Sequence, residues 1–226
     1  MSIKANLSSI KNSFYNPACL LIAVSKTQSS SAILEAYGAG IRDFGENKVQ
    51  ELTAKQAELP ADIRWHFIGH LQTNKVKYIA PFVHLIHGVD SWKLLLEIDK
   101  QAEKSGRVVS CLLQIHIAQE ETKFGLDREE LLAILQNPEL QHLKNVRIIG
   151  LMGMASFTEY IHQIRTEFRF LKNLFDECKS LQLPENVQLS ELSMGMSGDY
   201  LIAQEEGSTM VRIGTAIFGE RNYTKQ

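Results

Sequence analysis

Eight short apolar or β-branched runs alternate along this chain with longer stretches of helical period, and that alternation constrains the fold more than any other feature. The strand candidates are residues 20–24, 41–44, 64–68, 83–87, 108–117, 146–152, 187–192 and 210–213. Helical stretches at 30–37, 47–59, 73–79, 92–104, 128–135, 159–181 and 200–205 separate them, and a last turn begins near Thr215. The clearest helix is 159–181, where Ile161, Ile164, Phe168, Leu171, Leu174/Phe175 and Cys178 recur at three- and four-residue steps. Gly38 and Gly40 end the helix before them, and Asp90-Ser91 reads as the cap of the helix at 92–104. Such a series predicts a (β/α)₈ TIM barrel, with residues 1–226 as a single domain. The competing open, doubly wound sheet wants a glycine-rich phosphate turn after its first strand. Here that turn is Ser25-Lys26-Thr27-Gln28-Ser29, and neither GxGxxG nor a P-loop occurs anywhere in the chain.

Composition narrows the function. With 24 Lys+Arg against 26 Asp+Glu, the formal charge of −2 leaves no electrostatic footprint for nucleic acid or an anionic membrane. Cys19, Cys111 and Cys178 are widely spaced and form no CxxC pair, which suits a reducing compartment better than disulfides or structural zinc. Cys19, just before the first strand, reads as a small buried apolar residue. The apolar run 18–24 is too short to span a bilayer, and the first fifteen residues lack secretory grammar. A cytoplasmic protein without membrane or nucleic-acid partners is expected.

Active sites of such barrels gather where strands end. The strand ends here carry Lys26, Glu46-Asn47, Gly69-His70, Asp90, Leu151 to Met154, Ser193 to Ser197 and Arg212 to Thr215. A Ser/Gly-rich loop after strand seven, followed by Gly-Thr opening a helix after strand eight, suits a phosphate: backbone N–H groups and small side chains let its oxygens approach. Ser193, Ser197 and Thr215 add hydroxyls. Taken singly these are ordinary turn and capping residues; together they favour phosphate. Lys26, directly after an apolar strand, either snorkels to water or serves as a Schiff-base lysine. Partial desolvation and the nearby charge of Arg212 would then lower its pKa. Phosphate plus an aldehyde-reactive lysine points to pyridoxal phosphate or to a sugar phosphate.

The segments Ile22 to Thr27, Phe44 to Asn47, Trp65 to Lys75, Leu192 to Ser197 and Gly207 to Glu220 together resemble the pyridoxal phosphate homeostasis protein family. The strings WHFIGHLQTNK and GSTMVRIGTAIFGER are the most specific, and the likeness runs over nearly the whole chain. The resemblance implies an alanine racemase N-terminal-domain-like barrel (fold type III) without that enzyme's C-terminal β-domain. It implies that Lys26 holds pyridoxal 5'-phosphate as a Schiff base and that Arg212 faces the pyridine nitrogen. It also implies that Asn47 lies near the 3-hydroxyl, that Ser193, Ser197, Gly214 and Thr215 hold the phosphate, and that Met152 and Met154 form the wall. Gln28-Ser29, Lys48 and Gly153 depart from the family's usual Lys-Pro, aromatic and Thr. The first two are expected to alter only the rim, whereas Gly153 is expected to remove a side chain from the cofactor wall.

Other features weigh less. His66 and His70 stand four apart, a spacing that suits a metal on a helix; here they straddle a strand end, and hydrogen-bonded histidines are expected. In the Met-x-Met pairs 152/154 and 194/196, packing is the ordinary role, with one residue of each pair at the ring. Lys123 sits either at the mouth or on a solvated loop. Three functions follow: a pyridoxal phosphate carrier with little or no turnover, a pyridoxal-dependent racemase, and a Schiff-base aldolase. Racemisation needs a second base on the face opposite the lysine. In alanine racemase a tyrosine of the C-terminal domain supplies it, and the sequence offers no clear substitute within 226 residues, which favours the carrier. Apo pyridoxal-dependent enzymes are the expected transient partners of a monomer.

Overall fold

Eight parallel strands close into a barrel in the computed structural model, which describes residues 2–119 and 124–219. The strands are β1 (Leu20–Val24), β2 (Asp43–Glu46), β3 (Arg64–Phe67), β4 (Leu85–Val89), β5 (Val109–Ile115), β6 (Val146–Gly153), β7 (Val187–Ser193) and β8 (Met210–Ile213). Each pairs with the next, and β8 returns to β1 through Leu20–Met210 and Ile22–Arg212. The helices are α1 (Ile3–Asn12), α2 (Ser30–Gly38), α3 (Val49–Glu58), α4 (Val76–Ile79), α5 (Trp92–Lys104), α6 (Arg128–Leu135), α7 (Ile161–Lys179), α8 (Tyr200–Glu205) and α9 (Thr215–Phe218). Their apolar stripes cover the sheet. On α7, Ile164, Phe168, Leu171, Leu174, Phe175 and Cys178 are buried as the spacing requires, whereas Ile161, in the helix's first turn, is exposed. Caps fix the starts: Ser91 accepts from the Leu94 N–H, and Asp127 and Glu130 form a capping box on α6.

Alternation along the strands sends every second side chain inward. Ile22, Leu85, Leu112, Met152 and Met210 form one apolar cluster there. The other inward positions are unusual for a barrel, whose interior is normally filled by branched apolar residues. His87 on β4 bonds Ser193 on β7, strands that are not neighbours, so the contact crosses the interior.

Four elements differ from the sequence reading. An additional helix, α1, precedes β1; Ile3, Leu7 and Ile10 give it an apolar stripe, and Asn6 Nδ2 ties it to the Ile217 carbonyl near the other end of the chain. Residues 73–79 form a 3₁₀ turn at Thr73–Lys75 and then the single turn α4. Strands β2 and β4 sit two residues later than their apolar runs suggest. The barrel takes Asp43 and Glu46 into β2, where the half-exposed Arg64 neutralises Asp43 and the buried Lys55 neutralises Glu46. Among the described residues, no helix is long and apolar enough to cross a membrane. Lys123 lies outside the described residues.

Candidate functional site

At the C-terminal mouth a cavity of about 630 Å³ opens, the size of a cofactor pocket. Lys26, Asn47, Met154, Ser197, Arg212, Gly214 and Thr215 all line it. The ends of five strands, β1, β2, β6, β7 and β8, thus converge as the barrel reading anticipated.

The turn that presents Lys26 is strained and clamped. Thr27 adopts a left-handed backbone (φ 65°), an uncommon state for a β-branched residue. Its N–H donates to Glu51 Oε1 at 2.5 Å. Below, the buried Lys55 ammonium donates to the Ser25 carbonyl (2.7 Å), Glu46 Oε1 (2.8 Å) and Glu51 Oε1 (2.7 Å). Ser25 Oγ adds a bond to Glu46 Oε1 at 2.6 Å. Burial pushes the Glu46 carboxyl up, while Lys55 and Ser25 pull it back. Residues on both sides of Lys26 are therefore fixed from below. Backbone strain of this kind persists only where its surroundings over-determine it, and it clusters at functional sites. Gln28 reaches the cavity lining, Ser29 caps α2 by accepting from the Ala32 N–H, and Lys48 is exposed.

The floor belongs to Arg212. It is nearly enclosed, donating from Nη1 to Ser193 Oγ (2.6 Å) and from Nη2 to the Gly153 carbonyl (3.0 Å). Burial lowers its pKa to about 10 against the opposing pull of Asp199, so it remains cationic near neutrality. At another side of the cavity, the N–H groups of Gly214 and Ala216 converge on Ser197 Oγ, at 3.3 and 3.4 Å. The hydroxyl oxygen occupies the kind of place an anion's oxygen would take. Gly195 shapes the preceding loop: its φ is 99°, and a Cβ there would lie 2.6 Å from that of Ala203.

Two expected site residues stop short of the cavity. Ser193 is fully buried, its hydroxyl engaged by Arg212 and His87, so it supports the floor from beneath. Met152 points into the apolar barrel cluster, one pleat below Met154. Of the Met-x-Met pairs, Met154 and Met196 line the cavity while Met152 and Met194 are packed away. Gly153 also differs from expectation. Its missing Cβ would point at Leu171 (2.7 Å) and Ile117 (2.9 Å), toward the helix layer, because residue 153 has the opposite pleat from its neighbours. Its lack of a side chain takes nothing from the cavity wall.

Several lining or supporting residues went unrecognised in the sequence. Gln114, nearly buried, holds the Phe124 carbonyl at 2.7 Å. Phe124 in turn stacks on His70 (ring centroids 4.4 Å apart), and His70 Nδ1 lies 3.1 Å from Asp90 Oδ2. Glu167, buried on α7, accepts from Ser156 N (2.6 Å) and Oγ (2.8 Å) and so pins the loop after β6. Inward parity along each strand was the available signal for Gln114; Glu167 had none beyond a charge on the apolar face of a helix. His66 and His70 do not pair: His66 is enclosed in the barrel and bonds His87 and Asp43. Asp43, His66 and His84 can bring ligand atoms within 4.8 Å of one another. Both Asp43 oxygens are already taken by Arg64 and His66, and the guanidinium fills the place of a cation.

Comparison with known proteins places this geometry. The family model described as alanine racemase, N-terminal domain, matches residues 1–222. A pyridoxal phosphate homeostasis protein of Aquifex aeolicus is 45% identical over 204 residues, 90% of this chain and 87% of that protein. The Homo sapiens protein of the same name is 41% identical over 217 residues, covering 91% of this chain and 78% of its own length. PipY of Synechococcus elongatus, solved with PLP bound, superposes with a TM-score of 0.87 at 39% identity, over 96% of this chain and all of that one. Alanine racemase of Bartonella henselae shares only the fold, at 16% identity and a TM-score of 0.71, over 97% of this chain and 60% of its own. The barrel, its clamped lysine and these relatives agree: the chain belongs to the pyridoxal phosphate homeostasis protein family.

Proposed function

We propose that this chain binds pyridoxal 5'-phosphate in the mouth cavity, joined covalently at Lys26 Nζ, and serves the cofactor's intracellular supply with little or no turnover. The observation that carries the reading is the clamped, strained turn at Lys26, set in a cavity with Arg212 as its floor. The residues present fit the group: the volume is adequate, small residues and converging N–H groups suit a phosphate, and a fixed cation suits an aromatic nitrogen. When bound, the cofactor supplies an aldehyde and an electron-withdrawing ring.

The chain's own groups then divide the work. Ser197, Gly214 and Thr215 hold the phosphate, Asn47 sits near the 3-hydroxyl, and Met154 packs on the ring. Arg212 keeps a proton off the ring nitrogen, which weakens electron withdrawal and with it any catalysis on bound amino acids. Ser193 and Met152 act one layer below, through Arg212 and Met154. Among the described residues, no tyrosine lines the cavity to serve as a second base for racemisation. Transient delivery to apo pyridoxal-dependent enzymes, by a cytoplasmic monomer, completes the reading.

The test is a cofactor titration followed by visible absorbance, with transfer to an apo-enzyme and amino-acid racemisation measured on the loaded protein. Saturable binding lost in Lys26→Ala, faster reactivation of the apo-enzyme than by free cofactor, and negligible racemisation are expected. Absence of binding overturns the site, and sustained racemisation abolished by Lys26→Ala makes the protein an enzyme instead.

A further inference from the structure

A single file of buried polar groups runs from the cavity floor to the opposite, N-terminal face of the barrel. Arg212 Nη1 lies 2.6 Å from Ser193 Oγ, Ser193 Oγ 3.0 Å from His87 Nδ1, His87 Nε2 3.0 Å from His66 Nδ1, and His66 Nε2 3.1 Å from Asp43 Oδ1. Arg64, half exposed at the start of β3, closes the file by gripping both Asp43 oxygens at 2.7 and 2.5 Å. Ser193, His87 and His66 are fully enclosed.

The two ends fix every proton between them. A guanidinium only donates and a carboxylate only accepts. Asp43 therefore requires a proton on His66 Nε2. Neutral His66 then accepts at Nδ1, so His87 donates from Nε2 and accepts at Nδ1. The Ser193 hydroxyl must donate to His87, leaving its oxygen to accept from Arg212. No other assignment with neutral imidazoles satisfies all four bonds. Burial is the main force keeping both histidines neutral. Asp43 opposes that effect at His66, whereas Arg64 reinforces it; at His87, His66, Arg212 and His84 reinforce it. His84, itself influenced by Arg107, stands 5.2 Å from the His66 ring, and Asp199 acts on Arg212 at the other end.

We propose that His87 and His66 are positioning residues for the cofactor site, acting through Ser193 as a one-way hydrogen-bond chain that ties Asp43 to Arg212 and aims its guanidinium at the cavity. An apolar filling would pack the barrel as well or better, so stability alone gives no reason for this polar file. Its consequence is long-range. One proton added to the histidine pair reverses His87, which then donates from Nδ1, and the Ser193 oxygen faces two donors while its hydroxyl loses its acceptor. The inference rests on the proposed cofactor reading only in what Arg212 is aimed at.

The test has two arms on the full-length protein. Proton–nitrogen correlation spectra of isotope-labelled histidines, recorded without cofactor at neutral pH, read the tautomers directly. Both His66 and His87 are expected as neutral Nε2–H forms; an Nδ1–H form or an imidazolium at either overturns the chain. In the second arm, His87→Gln, whose amide accepts and donates in the same sense, is expected to bind pyridoxal phosphate within about threefold of the parent. His87→Leu is expected to lose roughly tenfold or more, the scale of leaving buried hydrogen-bonding groups unpaired. Where His87→Leu does not fold, Ser193→Ala takes its place with the same expected loss. Equal affinity across all variants, or equal loss in His87→Gln, overturns the positioning role. If the parent itself binds no cofactor, the site reading fails, while the tautomers still decide whether the chain exists.

Discussion

Lys55 is a buried ammonium serving three acceptors at once, and its removal measures how much of the Lys26 turn is built on charge. Lys55→Met leaves Glu46 fully buried with its cation gone, which costs about 3 kcal/mol or more. Urea unfolding at neutral pH reads that loss. The loss should shrink as pH is lowered, because Glu46, already pushed up by burial, then takes a proton. At Gly153 the constraint is steric rather than electrostatic. A side chain there meets the flexible tips of Leu171 and Ile117, so Gly153→Thr is expected to cost roughly 1 kcal/mol through overpacking. Its affinity for pyridoxal phosphate should equal that of the parent; a changed affinity would return residue 153 to the cavity wall. Cys19 behaves as the sequence suggested, a buried thiol whose pKa burial raises to about 11, with little nucleophilic character.

Helix α7 does more than cover the sheet. Its buried Glu167 receives two bonds from Ser156 and one from Gln163, so a helix in the outer layer holds a loop of the cavity rim. Glu167→Ala should cost about 1–3 kcal/mol by stranding those donors. It should also speed amide exchange at Ser156 and weaken cofactor binding; unchanged exchange there would contradict the anchoring. The apolar elements were legible in advance. β1, β8, α7 and α8 lie within two residues of the spans their period implies, because burial of one face dictates that period. The shift of β2 has an electrostatic reason: it carries Asp43 and Glu46, which resemble turn residues until Arg64 and His66 on β3 and Lys55 on α3 are brought to them. Lys26, Asn47, Ser197, Arg212, Gly214 and Thr215 were legible as strand ends and as family motifs. Ser193 lies one layer deeper than its strand-end position suggests, since spacing alone does not tell a strand's last inward residue from the loop above it. Gln114 and His87 showed only inward parity along their strands; their roles depend on the Phe124 carbonyl, Ser193 and His66, which the fold brings to them.

For the molecule as a whole, the polar file makes stability depend on pH. His66 and His87 are held below the ordinary imidazole pKa chiefly by burial, so below about pH 6.5 the unfolded chain binds protons that the folded one refuses. Stability therefore falls as acid is added through this range. Asp43 adds a second loss below about pH 4. Burial alone would raise its pKa, but the bonds from His66 and Arg64 together hold it at about 2. Glu46 works in the opposite sense and softens the slope. The Tm of the cofactor-free protein is expected to drop between neutrality and about pH 5. His87→Gln, with one buried imidazole fewer, should show a flatter dependence; an identical slope would place the titration elsewhere. The central claim, a cofactor carried on Lys26 at the mouth of this barrel, has a more direct measurement: borohydride reduction of the pyridoxal phosphate-loaded protein, followed by peptide mapping. Loss of the visible absorbance and a stable pyridoxyl label on Lys26 alone are expected. A protein that takes up no colour, or a label on any other lysine, would contradict it.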